Sequence, residues 1–78
     1  MPFAHVIVPP GLPVETKKNM VEKVTDALIE AEGAPPSIRP YVTVLVSETG
    51  EGGWGIAGRG HTSEELRSLA RDLAKSGG

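Results

Sequence analysis

Two apolar runs stand on either side of a single amphipathic segment, and that order leaves the chain few ways to fold. Phe3 to Val8 alternates small and large apolar groups around His5, as a strand does, and Pro9-Pro10-Gly11 ends it. From about Pro13 to Ala31 the apolar positions are Met20, Val21, Val24, Ala27, Leu28 and Ala31, one face of a helix. Glu15, Lys18, Glu22, Lys23 and Glu30 cover much of the opposite side. Pro13 suits a helix start, where a missing N–H costs little, and Gly33 suits a left-handed cap just past the end. Tyr41 to Ser47 is the strongest strand signal, rich in β-branched residues and apolar on both faces except at Thr43 and Ser47. Strand, helix of about five turns and strand make a β-α-β unit with parallel strands and a right-handed crossover.

One helix cannot cover two faces of a parallel sheet, which is normally buried on both. The open face, expected to carry residues such as Val44 and Val46, should therefore pack on another subunit. Size gives the same answer. A core of 78 residues is marginal alone, and without Cys neither a disulfide nor a thiolate metal site can help. His5 and His61 have no ligand spacing with each other or with a carboxylate cluster, so no metal is expected. The net charge of −2, with acids and bases mixed, gives no nucleic-acid footprint. No basic-then-apolar leader opens the chain and no apolar run approaches membrane-spanning length. A soluble, cytoplasmic homo-oligomer is the expectation.

The remaining residues contribute a short hairpin and a tail. Ala34 to Pro40 holds three prolines and reads as a rigid connection. Glu48 to Gly60 contains six glycines with Trp54 and Ile56 among them. Gly50 to Gly55 and Gly53 to Gly58 both match the spacing of a dinucleotide-binding fingerprint. That motif needs a helix opening directly on the glycines and a further strand with a ribose-binding acid, and here the next helix begins near Ser63 and ends the chain. The glycines instead suit tight turns and close packing. Thr62-Ser63-Glu64-Glu65 is a capping box, followed by an apolar stripe of Leu66, Leu69, Ala70 and Leu73. The tail helix is short enough to need docking, and Ser76-Gly77-Gly78 should fray. The whole is an α+β fold in a single domain over 1–78, with a β-α-β unit and hairpin over 1–60 and a helical tail over 61–78.

Pro2 leads directly into the first strand. If Met1 is removed, as is usual before a small second residue, the chain begins with a secondary amine held at a strand end. A free α-amino group titrates near ~8, and apolar surroundings lower that value by disfavouring the cation, which makes a base at neutral pH. An edge-strand start accounts for a proline there equally well.

An N-terminal proline, a β-α-β unit and a glycine-rich hairpin together resemble the tautomerase superfamily, in particular its small 4-oxalocrotonate tautomerase-like branch. The likeness runs from Pro2 to about Gly60. It is carried by Met1-Pro2-Phe3, the Gly11 turn, Ala34-Pro35, and Val42 to Glu48 with Trp54-Gly55-Ile56-Ala57-Gly58. The resemblance implies a cofactor-independent isomerase. Its proline amine would move a proton between carbon and oxygen of a small 2-keto or enol carboxylate, in trimers of dimers whose neighbouring chains complete each site. Pro2 matches the catalytic base, Trp54 the position of an aromatic wall, and Glu48 a position often acidic.

Three departures stand out. Leu12 and Thr43 occupy positions where oxalocrotonate tautomerases carry the arginines that bind substrate carboxylates, and Pro9 occupies one where a backbone N–H can be donated. The connection around Ser37-Ile38-Arg39-Pro40 is about three residues longer than in the archetype. Gly11-Leu12 and Gly58-Arg59 look more like subunits of the chloroacrylate dehalogenase branch, some of them non-catalytic. Arg39 and Arg59 are the candidate substitutes for carboxylate binding, each also readable as a solvated surface residue. His5 projects away from Pro2 by strand alternation, and His61 is expected at the surface. Besides the tautomerase, two functions remain. One is a non-catalytic subunit paired with a catalytic paralogue. The other is a hydratase or dehalogenase of an unsaturated acid, with Glu48 or Glu51 activating water.

Overall fold

The computed structural model describes residues 2–75. Its elements, in order, are β1 (Phe3–Val8), α1 (Val14–Glu32), a 3-10 helix (Pro36–Tyr41), β2 (Thr43–Glu48), β3 (Trp54–Ile56), β4 (Arg59–His61) and α2 (Ser63–Lys75). They fall into two compact units, residues 2–7 with 12–47 and residues 8–11 with 48–75.

The first unit is the β-α-β motif. Start pairs with start, because the Thr43 amide donates to the Pro2 carbonyl at 3.2 Å, so β1 and β2 run parallel as a right-handed crossover requires. Alternation then sorts the side chains. Ala4 and Val6 on β1 and Val44 and Val46 on β2 are half-buried or buried, whereas Phe3, His5, Ile7, Thr43, Leu45 and Ser47 are exposed. The half-buried stripe of α1, formed by Met20, Val21, Val24 and Leu28 with buried Thr25, covers the first of these faces. Thr25 avoids the cost of a buried hydroxyl by donating to the Val21 carbonyl one turn back, at 2.7 Å.

The uncovered face therefore differs from the sequence expectation. Val44 lies beneath the helix at 9% exposure, and the open face carries Phe3, Ile7 and Leu45 at 63%, 55% and 47%. An apolar run on both faces hides this choice, because period-two alternation says which residues share a face but not which face the one helix takes.

Both predicted helix boundaries hold. Pro13 occupies the N-cap, and Gly33 adopts φ 66°, with its N–H on the Glu30 carbonyl and that of Ala34 on the Ile29 carbonyl. That paired pattern is a Schellman closure, which needs a residue without a Cβ penalty at Gly33. The proline-rich connection is more ordered than a linker. It forms the 3-10 helix, with Pro36 in its first turn, and Arg39 ties it to α1 through Asp26.

The second unit holds the hairpin and α2. The Thr49 amide donates to the Val8 carbonyl at 3.1 Å. β3 and β4 pair antiparallel with Trp54 opposite His61, Gly55 opposite Gly60 and Ile56 opposite Arg59. Ala57 and Gly58 turn the hairpin with φ 52° and 81°, the two positive values that a tight I′ connection demands. α2 begins at the predicted capping box. The Glu65 amide donates to the Thr62 hydroxyl at 3.2 Å, and the Thr62 amide donates to the Glu65 carboxylate at 3.0 Å. Leu66 is half-buried, while Leu69 and Leu73 remain 44% and 59% exposed. No helix among the described residues is long and apolar enough to cross a membrane. The fraying expected of Ser76-Gly77-Gly78 lies outside the described residues, as does Met1.

Candidate functional site

Pro2 is half-buried at the mouth of the parallel ladder, and its carbonyl is fixed by the first amide of β2. The bond ties the Pro2 carbonyl to β2, and the ring, with φ restricted, leaves ψ as the torsion that orients the nitrogen. By alternation Pro2 belongs to the face of Ala4 and Val6. His5 lies on the other, where its Nε2 and the Ser47 hydroxyl are 2.7 Å apart.

The two arginines singled out from sequence have different surroundings. Arg39 is committed to Asp26 in a 2.5 Å ion pair and lines a shallow cavity of about 260 Å³ with Asp26, Ile29, Glu30 and Pro36. Neither Pro2 nor Trp54 lines that cavity. Arg59 is exposed at the start of β4. Residues directly opposite in an antiparallel pair point the same way, so Trp54, Ile56, Arg59 and His61 share one face of the hairpin. The structure thus brings Trp54 and Arg59 together as candidates on one surface. His61 is half-buried rather than exposed, since it stands across from Trp54 and its Nδ1 lies 4.0 Å from the Glu65 carboxylate.

The opposite face of the hairpin explains its glycines. Gly55 and Gly60 are its paired residues, and a side chain on Gly60 would run into the Gly52 carbonyl, whose own amide donates to the His61 carbonyl at 3.0 Å. The glycine-rich segment folds flat against the hairpin, a role in packing and not in phosphate binding.

Around it the second unit gathers a polar cluster. Ser63 donates its amide to one Glu51 oxygen and its hydroxyl to the other, both at 2.6 Å. These bonds, hydroxyl first, hold the Glu51 carboxyl below the ordinary carboxylate range, with a smaller contribution from Arg67. Glu65 is lowered likewise, chiefly by the Thr62 amide. The Gly11 amide donates to Glu48 at 3.4 Å. Gly11 itself has φ +97°, and a Cβ there would stand 2.8 Å from the Ser63 Cβ and 3.1 Å from Arg67 Nη1. Arg67 escaped the sequence reading. Nothing in the periodicity of α2 marks which of its charged residues meets the Gly11 turn, and only the tertiary fold joins the two. Among the described residues no group of three His, Asp or Glu could hold a metal.

With this geometry in view, comparison with known proteins is decisive. The family model described as tautomerase enzyme matches residues 2–64. The chain belongs to the tautomerase family. The 2-hydroxymuconate tautomerases of Comamonas testosteroni and Pseudomonas putida are 45% and 43% identical over 58 residues, each match covering 74% of this chain and 87% of the relative. A 4-oxalocrotonate tautomerase isozyme of Methylibium petroleiphilum superposes with a TM-score of 0.67 at 35% identity, covering 83% of this chain and 97% of that one. DmpI of Helicobacter pylori shares the fold, with a TM-score of 0.64 at 21% identity over 86% of this chain and 97% of that one. This tautomerase family member is thus of the 4-oxalocrotonate tautomerase-like kind. Its family match ends at residue 64, near the start of α2, so most of that helix lies beyond the matched segment.

Proposed function

We propose that the protein is a tautomerase whose processed Pro2 amine shuttles a proton between oxygen and carbon of a small 2-oxo or enol monocarboxylate. The nitrogen lone pair takes the enol O–H proton, the electrons shift through the conjugated chain to form the ketone, and the protonated amine returns a proton to carbon. Atoms and charge balance without a co-reactant, as an isomerisation requires. The observation that carries this reading is the clamp on Pro2, a half-buried residue tied by its carbonyl to Thr43, in a chain that matches the tautomerase model from Pro2 onward. A secondary amine at a strand end keeps the basic lone pair that an amide nitrogen would lack. Trp54 would form the apolar wall that disfavours the ammonium, and Arg59, on the same hairpin face, would hold the carboxylate. Arg39 is the weaker anchor because Asp26 already engages it. Assembly would use the open sheet face with Phe3, Ile7 and Leu45, a hexamer first and a dimer second.

Leu12 and Thr43 favour one second reading, a non-catalytic subunit that needs a paralogue carrying the arginines. Intact mass and turnover of a simple enol acid separate the two. The proposal expects loss of Met1, turnover by the homo-oligomer, and a strong drop in turnover with Pro2→Ala at unchanged assembly. Retained Met1 in active protein, or activity untouched by Pro2→Ala, overturns the proline mechanism. Inert homo-oligomer that gains activity when mixed with a relative establishes the subunit reading.

A further inference from the structure

We propose that the cavity between the C-terminal end of α1 and the 3-10 helix is a binding site for a small organic cation, a protonated amine carried on an apolar body. The cavity measures about 260 Å³ and is lined by Asp26, Ile29, Glu30, Pro36 and Arg39, all of them in the first unit. A cavity of about 150 Å³ holds benzene, so this one has room for a single ring with a short charged arm. Half-buried Ile29 and the Pro36 ring give it an apolar wall. Pro36 in the first turn of the 3-10 helix and the Arg39–Asp26 ion pair across to α1 tie the two sides together, so the cavity is formed without a ligand.

The sign of the ligand follows from the charges. α1 has no basic residue in its last turn, so the helix itself does nothing to offset the partial charge of about −0.5 at its C-terminal end. Glu30 stands in that turn and on the cavity wall, where a carboxylate and a helix end repel each other unless a cation lies between them. Asp26 and Arg39 neutralise one another at 2.5 Å. The net charge of the lining is therefore that of Glu30, which forms no ion pair among the described residues. A carboxylate ligand would meet like charge here, which excludes the oxo acids of the proposed reaction, and neither Pro2 nor Trp54 lines the cavity. An ammonium group set against Glu30, with its ring on Ile29 and Pro36, satisfies both the charge and the wall. Glu30 and Arg39 are exposed, so water and salt screen the attraction and affinity is on the order of millimolar.

Benzylamine, protonated at neutral pH, is the probe, and amide chemical shifts of the intact protein at low salt follow it. The Ile29, Glu30 and Arg39 signals should move and saturate. Benzyl alcohol, of similar shape without charge, and benzoate, of opposite charge, should each bind at least three-fold more weakly. Glu30→Gln keeps the shape of the wall and removes its charge, and should weaken benzylamine at least three-fold. Arg39→Gln should move the other way and strengthen it, because Asp26 is then no longer neutralised while a hydrogen-bond donor still faces it. Both positions are exposed, so neither change threatens the fold. Pro2→Ala, outside the cavity, should bind benzylamine as the intact protein does, which makes the result independent of the proline mechanism. Unchanged affinity in Glu30→Gln, weaker binding in Arg39→Gln, equal binding of benzyl alcohol or benzoate, loss of binding in Pro2→Ala, or no binding by the intact protein each overturns the proposal.

Discussion

The two units of this small protein are held together by different physics. In the first, a parallel ladder and a helix bury an apolar face, with Val44 and Thr25 at its centre. In the second, Val8 is buried at the end of β1, and beyond it carboxylates bind main chain: Glu48 on Gly11, Glu51 on Ser63, Glu65 on Thr62. Burial is indifferent to pH and tolerant of sequence so long as volume is kept. Hydrogen-bonded carboxylates are neither, and they place the loops that carry Trp54 and Arg59. The difference is one of cohesion, an apolar frame in one unit and a polar set of contacts in the other.

The largest effect expected is on the packed frame. Val44→Asp would bury an unpaired carboxylate at a cost of several kcal/mol, comparable with the ~5–10 kcal/mol total of a domain this size. Far-UV circular dichroism should show loss of the fold. Leu45→Asp, one residue along and on the open face, should leave the β-α-β unit folded and reduce the sedimentation coefficient by blocking assembly. Equal unfolding by both would mean that the two faces are not distinct.

Gly11→Ala tests the second unit at its tightest point. The left-handed φ costs about 1 kcal/mol for alanine, and its methyl would stand 2.8 Å from the Ser63 Cβ, so Ser63 must move. A loss of roughly 2–3 kcal/mol is expected by denaturant titration. Gly50→Ala, with nothing within 4 Å, is the control and should cost under about 1 kcal/mol. Equal losses would show that α2 does not press on the turn.

What the sequence could say followed the same division. The β-α-β order, the ends of α1 and the capping box at Thr62 and Glu65 were legible, because each depends on neighbours within a few residues. The open face was misassigned to Val44 and Val46, since local alternation does not choose between two apolar sides. In the second unit the glycines and Trp54 were visible but their purposes were not. That Gly60 must clear the Gly52 carbonyl, or that Ser63 meets Glu51 and Gly11 at once, depends on loops meeting in three dimensions. For the candidate site, Pro2, Trp54, Arg39 and Arg59 were all nameable from sequence. Arg67 was not, and the ion pair that occupies Arg39 could not be foreseen.

A third test uses acid. Glu51 and Glu65 have lowered values in the folded state, so the stability they contribute is present above the unfolded carboxyl range and is lost as pH falls through the folded values. The second unit should loosen below about pH 4 while the first persists. Amide exchange would show early loss of protection in α2 and the hairpin with β1 and β2 unchanged. Glu51→Gln should flatten that acid response, because its neutral amide no longer titrates. Coincident loss in both units would mean that they unfold together and that the proposed contrast is not thermodynamic.

The smallest effect is expected at Ala57, where the hairpin is strained by one methyl group. Ala57 holds φ 52° beside Gly58 at 81°, and a left-handed alanine gives up ~1–2 kcal/mol relative to its preferred basins. Glycine removes that strain but returns conformational freedom to the unfolded chain, worth roughly 0.4–1 kcal/mol in the other direction. The balance predicts that Ala57→Gly stabilises by about 0.5–1 kcal/mol and raises Tm by a few degrees. Ala57→Val, β-branched at a positive φ, should destabilise. The response should also be local. Strain released at a turn that links Ile56 to Arg59 sharpens the register pairing Trp54 with His61, so exchange protection should rise in the hairpin and not in β1 or β2. A loss of stability on Ala57→Gly would show that the turn is held in its left-handed form by contacts of the alanine methyl, and that the hairpin, like the first unit, depends on packing.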